Sequence, residues 1–300
     1  MLVQQLINGL TLGAIYALVA LGYTMVYGIL ELINFAHGEI YMIGAYLSII
    51  FLGFFTTIGM TRHFLFLSLF LSFILSAVFC GAYGYTMEKV AYRPLRSAHR
   101  LSPLISAIGM SIFLQNYVML TQGSGDVVFP HLFPNSEILF SGIRLTSLQV
   151  VILSSSFILM GVLYFLVKKT LIGKAMRATA QDKKMASLVG INIDFIISFT
   201  FVIGSFLAAA AGMMVAMYYG TVNFFIGYIA GIKAFTAAVL GGIGNIPGAM
   251  AGGLLLGMVE SLGASYISSE YKDLFAFLIL TLVLLLKPSG LLGEASKEKV

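Results

Sequence analysis

The spacing of charge along this chain limits what it can fold into. Nine apolar runs, at roughly 6–28, 40–58, 64–86, 103–121, 147–167, 196–218, 224–243, 248–267 and 274–287, follow one another with only short polar connections. A helix crossing a bilayer needs about 20 mostly apolar residues, and most of these runs meet that length. Within them only Lys233 and Glu260 are ionisable and set deep. The whole chain is 59% apolar and 10% charged, against about a quarter charged in soluble domains. A water-soluble fold has no place for so much apolar surface. Backbone groups in lipid must be paired within the structure, and these runs lack the alternation of barrel strands. The expected fold is therefore all-α: a polytopic integral membrane protein, a helical bundle of about 8–9 transmembrane segments with broken or re-entrant pieces. No long polar stretch separates a second unit, so 1–300 is read as one membrane domain.

Basic residues cluster on the side of a membrane protein that stays in the cytoplasm. Lys168, Lys169, Lys174, Arg177, Lys183 and Lys184 share one connection, and Arg93, Arg96 and Arg100 another. Both are expected inside, with Lys287, Lys297 and Lys299 placing the carboxy terminus there too. The segment Gln122–Thr146, with Asp126 and Glu137 against Arg144 and turn-forming Gly123, Gly125, Pro130 and Pro134, is expected outside. Nine crossings then put the amino terminus outside. The first basic residue is Arg62, so the first run has no positive flank of a cleaved signal and is expected to stay. This loop distribution explains the formal charge of +5 without nucleic acid, which is not an expected partner.

Several polar or glycine-rich positions stand out. In the connection after residue 168, Ile172, Ala175, Met176, Thr179, Met185, Ala186 and Val189 recur at helical steps with Lys174, Arg177 and Lys184 between them, and Gly190 suits a C-cap. This is a short amphipathic helix, lying either on anionic headgroups or against a soluble partner. Lys233 and Glu260 can pair across neighbouring helices, as a structural tie or as a contact for a zwitterion. Asn34, His37 and Glu39 lie in a stretch too polar for lipid, a cytoplasmic loop or a re-entrant lining. Gly241, Gly242 and Gly244, with Pro247, mark a tight loop or a broken helix near a pathway; no Lys-Ser/Thr follows, so they are no phosphate loop. Gly9 and Gly13, Gly248 and Gly252, and Gly253 and Gly257 have the spacing of close helix packing. His37, His63, His99 and His131 are isolated, so no metal site is expected. Cys80 is alone in an apolar run, read as a small buried residue. No catalytic set and no ATPase motif is present, so an enzyme is not expected.

Three blocks, Asn34–Glu39, Gly173–Asn192 and Lys233–Gly244, resemble in order the LivH-type permease subunit of high-affinity branched-chain amino-acid ABC importers, a likeness running from Gly9 to about Gly290. The resemblance implies that 168–194 is the cytoplasmic coupling loop seated in an ATPase groove. Gly173, Lys174, Arg177, Ala178, Asp182, Leu188 and Gly190 are its residues. Asn34, His37, Glu39, Lys233, Glu260, Gly241, Gly242 and Gly244 are candidates for the translocation path. It also implies a cell inner-membrane location among lipid, a second homologous permease, two cytoplasmic ATPases that hold the ATP, and an extracytoplasmic amino-acid-binding protein; this chain itself holds no cofactor. Leucine, isoleucine or valine is then the cargo. A urea or short-amide importer of the same build, or an ion-coupled amino-acid transporter, are the alternatives.

Overall fold

Every apolar run is helical in the computed structural model, which describes residues 2–96, 98–99, 101–130, 137–140 and 143–293. Arg100, His131, Pro134, Lys297 and Lys299 lie outside the described residues. In chain order come α1 (Leu2–Leu30), α2 (His37–Thr57), the single turn α3 (Met60–His63) and α4 (Leu65–Met87), which widens into a π turn at Glu88–Tyr92 and then tightens into a 3-10 turn at Arg93–Leu95. Then follow α5 (Leu101–Gln122), strands β1 (Val127–Val128), β2 (Glu137–Phe140) and β3 (Ile143–Thr146), and α6 (Ser147–Lys169). The second half holds α7 (Leu171–Gln181), α8 (Lys183–Leu188), α9 (Ile193–Tyr219), β4 (Thr221–Val222), α10 (Ile226–Gly241), α11 (Ile246–Tyr266), a 3-10 turn at Ser269–Tyr271 and α12 (Lys272–Leu286).

Seven of these helices are long and apolar enough to cross a membrane. The expected crossings at 224–243 and 274–287 are shorter: α10 has 16 residues and α12 has 15. At 1.5 Å per residue they span about 24 and 22 Å, less than a hydrocarbon core of about 30 Å. Both pack on each other and on α11 instead of standing in lipid alone.

The helix ends are set by the polar residues between the runs. Thr146 and Gln149 form a reciprocal capping box at the start of α6. Thr170 accepts from Gly173 N at α7, Asn192 from Phe195 N at α9, and Asn245 from Gly248 N at α11. Each satisfies a backbone donor that a helix start otherwise leaves unpaired.

α1 is the axis of the bundle, with 89% of its apolar window buried, packed by α11, α9, α10 and α6. Lipid removes any hydrophobic drive between helices, so close backbone approach must hold them. The glycine pairs meet that need. A Cβ at Gly9 or Gly13 would collide with α11 backbone at Gly257–Met258 and Gly253–Leu254, and one at Gly212 with α2 backbone at Tyr41 and Ala45. Gly252 meets Ala237 and Gly241 of α10 in the same way. Cys80 is fully buried against α2, near the Ile40 carbonyl.

The two ends of the bundle differ. At one, Gln4 donates to the Arg144 carbonyl (2.9 Å) and β1 pairs antiparallel with β4, Val127 opposite Val222. At the other, Arg93 and Arg96 pair with Asp194, Arg96 also pairs with Glu88, and Ser198 donates to Glu88 (2.7 Å). The basic connections therefore gather at one end and the amino terminus at the opposite one. Residues 31–36 turn back from that basic end into the bundle, so α2 begins with His37 beneath Gly22 of α1. The stretch is the re-entrant piece the sequence allowed.

Candidate functional site

The basic end carries the most exposed ordered element. The expected single amphipathic helix is two, because Asp182 adopts extended backbone (φ −156°), ends α7 and caps α8 by accepting from Met185 N (3.0 Å). α7 turns Gly173, Met176 and Thr179 inward. A Cβ at Gly173 would strike the Leu166 and Val167 carbonyls, which is why glycine stands there. Arg177 donates from Nη1 to the Val167 carbonyl, fastening α7 to the end of α6. Lys174 is exposed and Ala178 half-buried. On α8 only Ala186 is buried; Leu188 is 80% exposed, with Met185 and Val189 beside it at 62% and 76%. Of the expected apolar face, Ile172, Met185 and Val189 thus point to solvent. Gly190 closes the element with φ +86°, a conformation glycine takes without strain.

Beneath α7, Met176 and Arg177 share a small cavity of about 80 Å³ with Thr24, Gly28 and Gly244. Gly244 (φ +91°) and Gly242 (φ +104°) form the turn between α10 and α11. The carboxy-terminal segment covers that turn: Leu291 N donates to the Leu240 carbonyl (2.8 Å) and Leu292 N to that of Gly241 (3.0 Å). Among the readings left open for the three glycines, the structure presents a tight turn under cover.

Asn34, His37 and Glu39 are at most 2% exposed. Tyr92 donates to Asn34 Oδ1 (2.6 Å) and Ser111 to Glu39 Oε1 (3.0 Å), while His37 stacks edge-on to Tyr23 (5.0 Å). Glu39 Oε2 and Asn34 Nδ2 have no hydrogen-bond partner among the described residues, where this interior layer is polar and incompletely satisfied.

Lys233 and Glu260 do meet: Nζ lies 2.7 Å from Oε1. Lys233 also pairs with Asp273 (2.6 Å) and donates to the Tyr16 hydroxyl (3.3 Å). Asp273 was invisible as a partner, since it opens an apolar helix where an acid is an ordinary first-turn residue. Glu88 and Asp194 were likewise missed; an acid flanking a basic loop was their one signal.

Comparison with known proteins bears on these features together. The family model described as the permease component of branched-chain amino acid transport systems matches residues 5–284. The high-affinity branched-chain amino acid transport system permease protein LivH of Salmonella typhimurium is 52% identical, over 99% of this chain and 97% of its own. LivH of Escherichia coli K12 is also 52% identical over 99% and 97%, and BraD of Pseudomonas aeruginosa, of the same description, is 51% identical over 99% and 97%. These relatives are permeases, not enzymes. Seven helices apolar enough to span a bilayer agree with them, and the chain is a multi-pass protein of the inner membrane. By a family match over nearly its whole length and identity above half to full-length members, this chain belongs to the branched-chain amino acid transport permeases.

Proposed function

We propose that this chain is the permease subunit of an ATP-binding-cassette importer that carries leucine, isoleucine and valine into the cell. It works beside a second, homologous permease, with two cytoplasmic ATPases supplying the free energy and an extracytoplasmic binding protein delivering the amino acid. Residues 168–194 are the coupling loop within a single membrane domain, 1–300. The observation that carries this reading is the α7–α8 pair: Leu188 and Val189 stand 80% and 76% exposed beside Lys183 and Lys184 at the basic end. An ordered, exposed, basic and apolar element fits a soluble partner's groove better than water.

Its mounting suits a lever. α7 packs on α6, α1 and α9, and Arg177 ties it to Val167, so displacement of α7 reaches α1 at Gly28 and the Gly244 turn. α1 is the axis on which α11 and α9 close, and its movement alternates the access of the interior polar layer around Asn34, His37 and Glu39. Gly241, Gly242 and Gly244 act as the pivot between α10 and α11.

Leu188→Asp tests the docking, because that side chain supports nothing in the bundle. The variant is expected to reach the membrane and lose co-purifying ATPase at least tenfold, as is Arg177→Glu. Undiminished co-purification of both rejects the docking role. Uptake of labelled leucine that needs this chain and collapses on ATP depletion but not with an uncoupler supports the importer. Loss with the uncoupler instead points to ion coupling, and absent leucine uptake makes urea or a short amide the next cargo to try.

A further inference from the structure

At the end of the bundle away from α7, a cavity of about 310 Å³ opens between α1, α9, α10 and α12. That volume is at the small end of ligand sites, which are mostly apolar with a few placed polar groups. Its lining is chemically mixed: Lys233, Lys272 and Asp273 carry charge, and Val215, Ile226 and Ile229 present branched aliphatic carbon. Ions together with branched aliphatic carbon match no lipid tail and no simple ion.

The charged groups form one cluster. Two carboxylates, Glu260 at 2.7 Å and Asp273 at 2.6 Å, share the single ammonium of Lys233. The Glu260 side chain is 3% exposed and its Oε2 has no hydrogen-bond partner among the described residues. Buried charge is costly unless matched, and with Lys272 the cluster holds two cations and two carboxylates. On the rim, Lys272 Nζ lies over the Tyr219 ring, 5.9 Å from its centroid. A basic group and the acid Asp273 thus line the same cavity.

We infer that this cavity is a binding site for a free α-amino acid with a branched aliphatic side chain. The ligand's ammonium meets Asp273, its carboxylate meets Lys272, and its side chain lies on Val215, Ile226 and Ile229. Lys233 and Glu260 hold Asp273 in place from behind. The inference rests on the proposed function and adds that the permease itself reads the cargo, after the binding protein has released it.

The test uses the complete transporter in nanodiscs, ATP-free and without the binding protein, with tritiated leucine as probe. Saturable binding is expected, displaced by unlabelled leucine at least tenfold better than by 3-methylbutylamine or 4-methylpentanoate, which each lack one charge of the zwitterion. Asp273→Asn, whose side chain is 43% exposed and so is tolerated by the fold, is expected to weaken binding at least tenfold. Ile229→Trp, which adds bulk at the aliphatic residues, is expected to abolish it, and Lys272→Gln at the rim to weaken it. Leucine uptake by the wild-type transporter in vesicles with its binding protein is measured in parallel. Uptake without saturable binding, or binding unchanged in all three variants, overturns the site and leaves the importer standing. Absence of uptake of leucine, isoleucine and valine by the wild type overturns the importer and the assigned ligand together.

Discussion

Gly257→Ala is a sharp test of how this bundle is held together. An added methyl at Gly257 would overlap the backbone of Gly13 and the Gly9 carbonyl on α1. Backbone cannot rotate aside as a side chain can, so α1 and α11 must separate. Overpacking of this kind costs about 1–3 kcal/mol, and rigid atoms on both sides place it near the upper value. Replacing glycine in a helix returns up to about 1 kcal/mol. The net loss is about 2 kcal/mol, roughly a 30-fold fall in the folded-to-unfolded ratio. Gly161→Ala on α6 is the control, since a methyl there meets nothing within 4 Å and only the helix gain remains. The chain supplies its own reporter: Cys80 is its single cysteine and is fully buried. A maleimide dye that fluoresces on reacting with a thiol therefore reads unfolding on heating in detergent. Gly257→Ala should melt about 3 °C below wild type, and Gly161→Ala at or slightly above it. Gly257→Ala melting level with Gly161→Ala would show that the α1–α11 contact is not set by backbone approach.

The same dye assay serves two further variants. Lys233→Met strands Glu260 and Asp273 without their shared cation, a loss of about 3–5 kcal/mol for a buried pair, and should melt well below wild type. Exchanging Lys233 and Glu260 should recover only part of that stability, because Asp273 then faces a carboxylate at 233; full recovery would mean Asp273 takes no part. Glu88→Gln removes the negative charge that pairs with Arg96 and leaves one oxygen where Arg96 and Ser198 now have two. Arg96 keeps Asp194 (2.6 Å), so the loss should sit at the low side, about 3 kcal/mol. A melting point unchanged from wild type would show that the Glu88 network does not brace α4 against α9.

Much of the architecture was legible because lipid leaves the chain few options. Uniform apolar runs of about 20 residues must be helices once no water is available to the backbone, and all nine runs are. Gly9, Gly13, Gly253 and Gly257 announced close packing by their four-residue spacing, and α1 and α11 pack on them. The coupling segment was visible as a basic amphipathic pattern, but not its break. Asp182 suits a helix surface and a helix cap equally, and here it stands between α7 and α8 as the cap of the second.

Sequence by itself determined the solvent of this protein, its helical class, the basic end and the family, since each depends on composition, period or local motif along the chain. Tertiary structure alone decided that Lys233 serves both Glu260 and Asp273, that His37 packs against Gly22, and that the Gly242 turn lies beneath Leu291 and Leu292. Those facts join residues of different structural elements. Which distant groups meet is set by how helix faces rotate and cross to bury small residues against one another, and no local pattern encodes that choice.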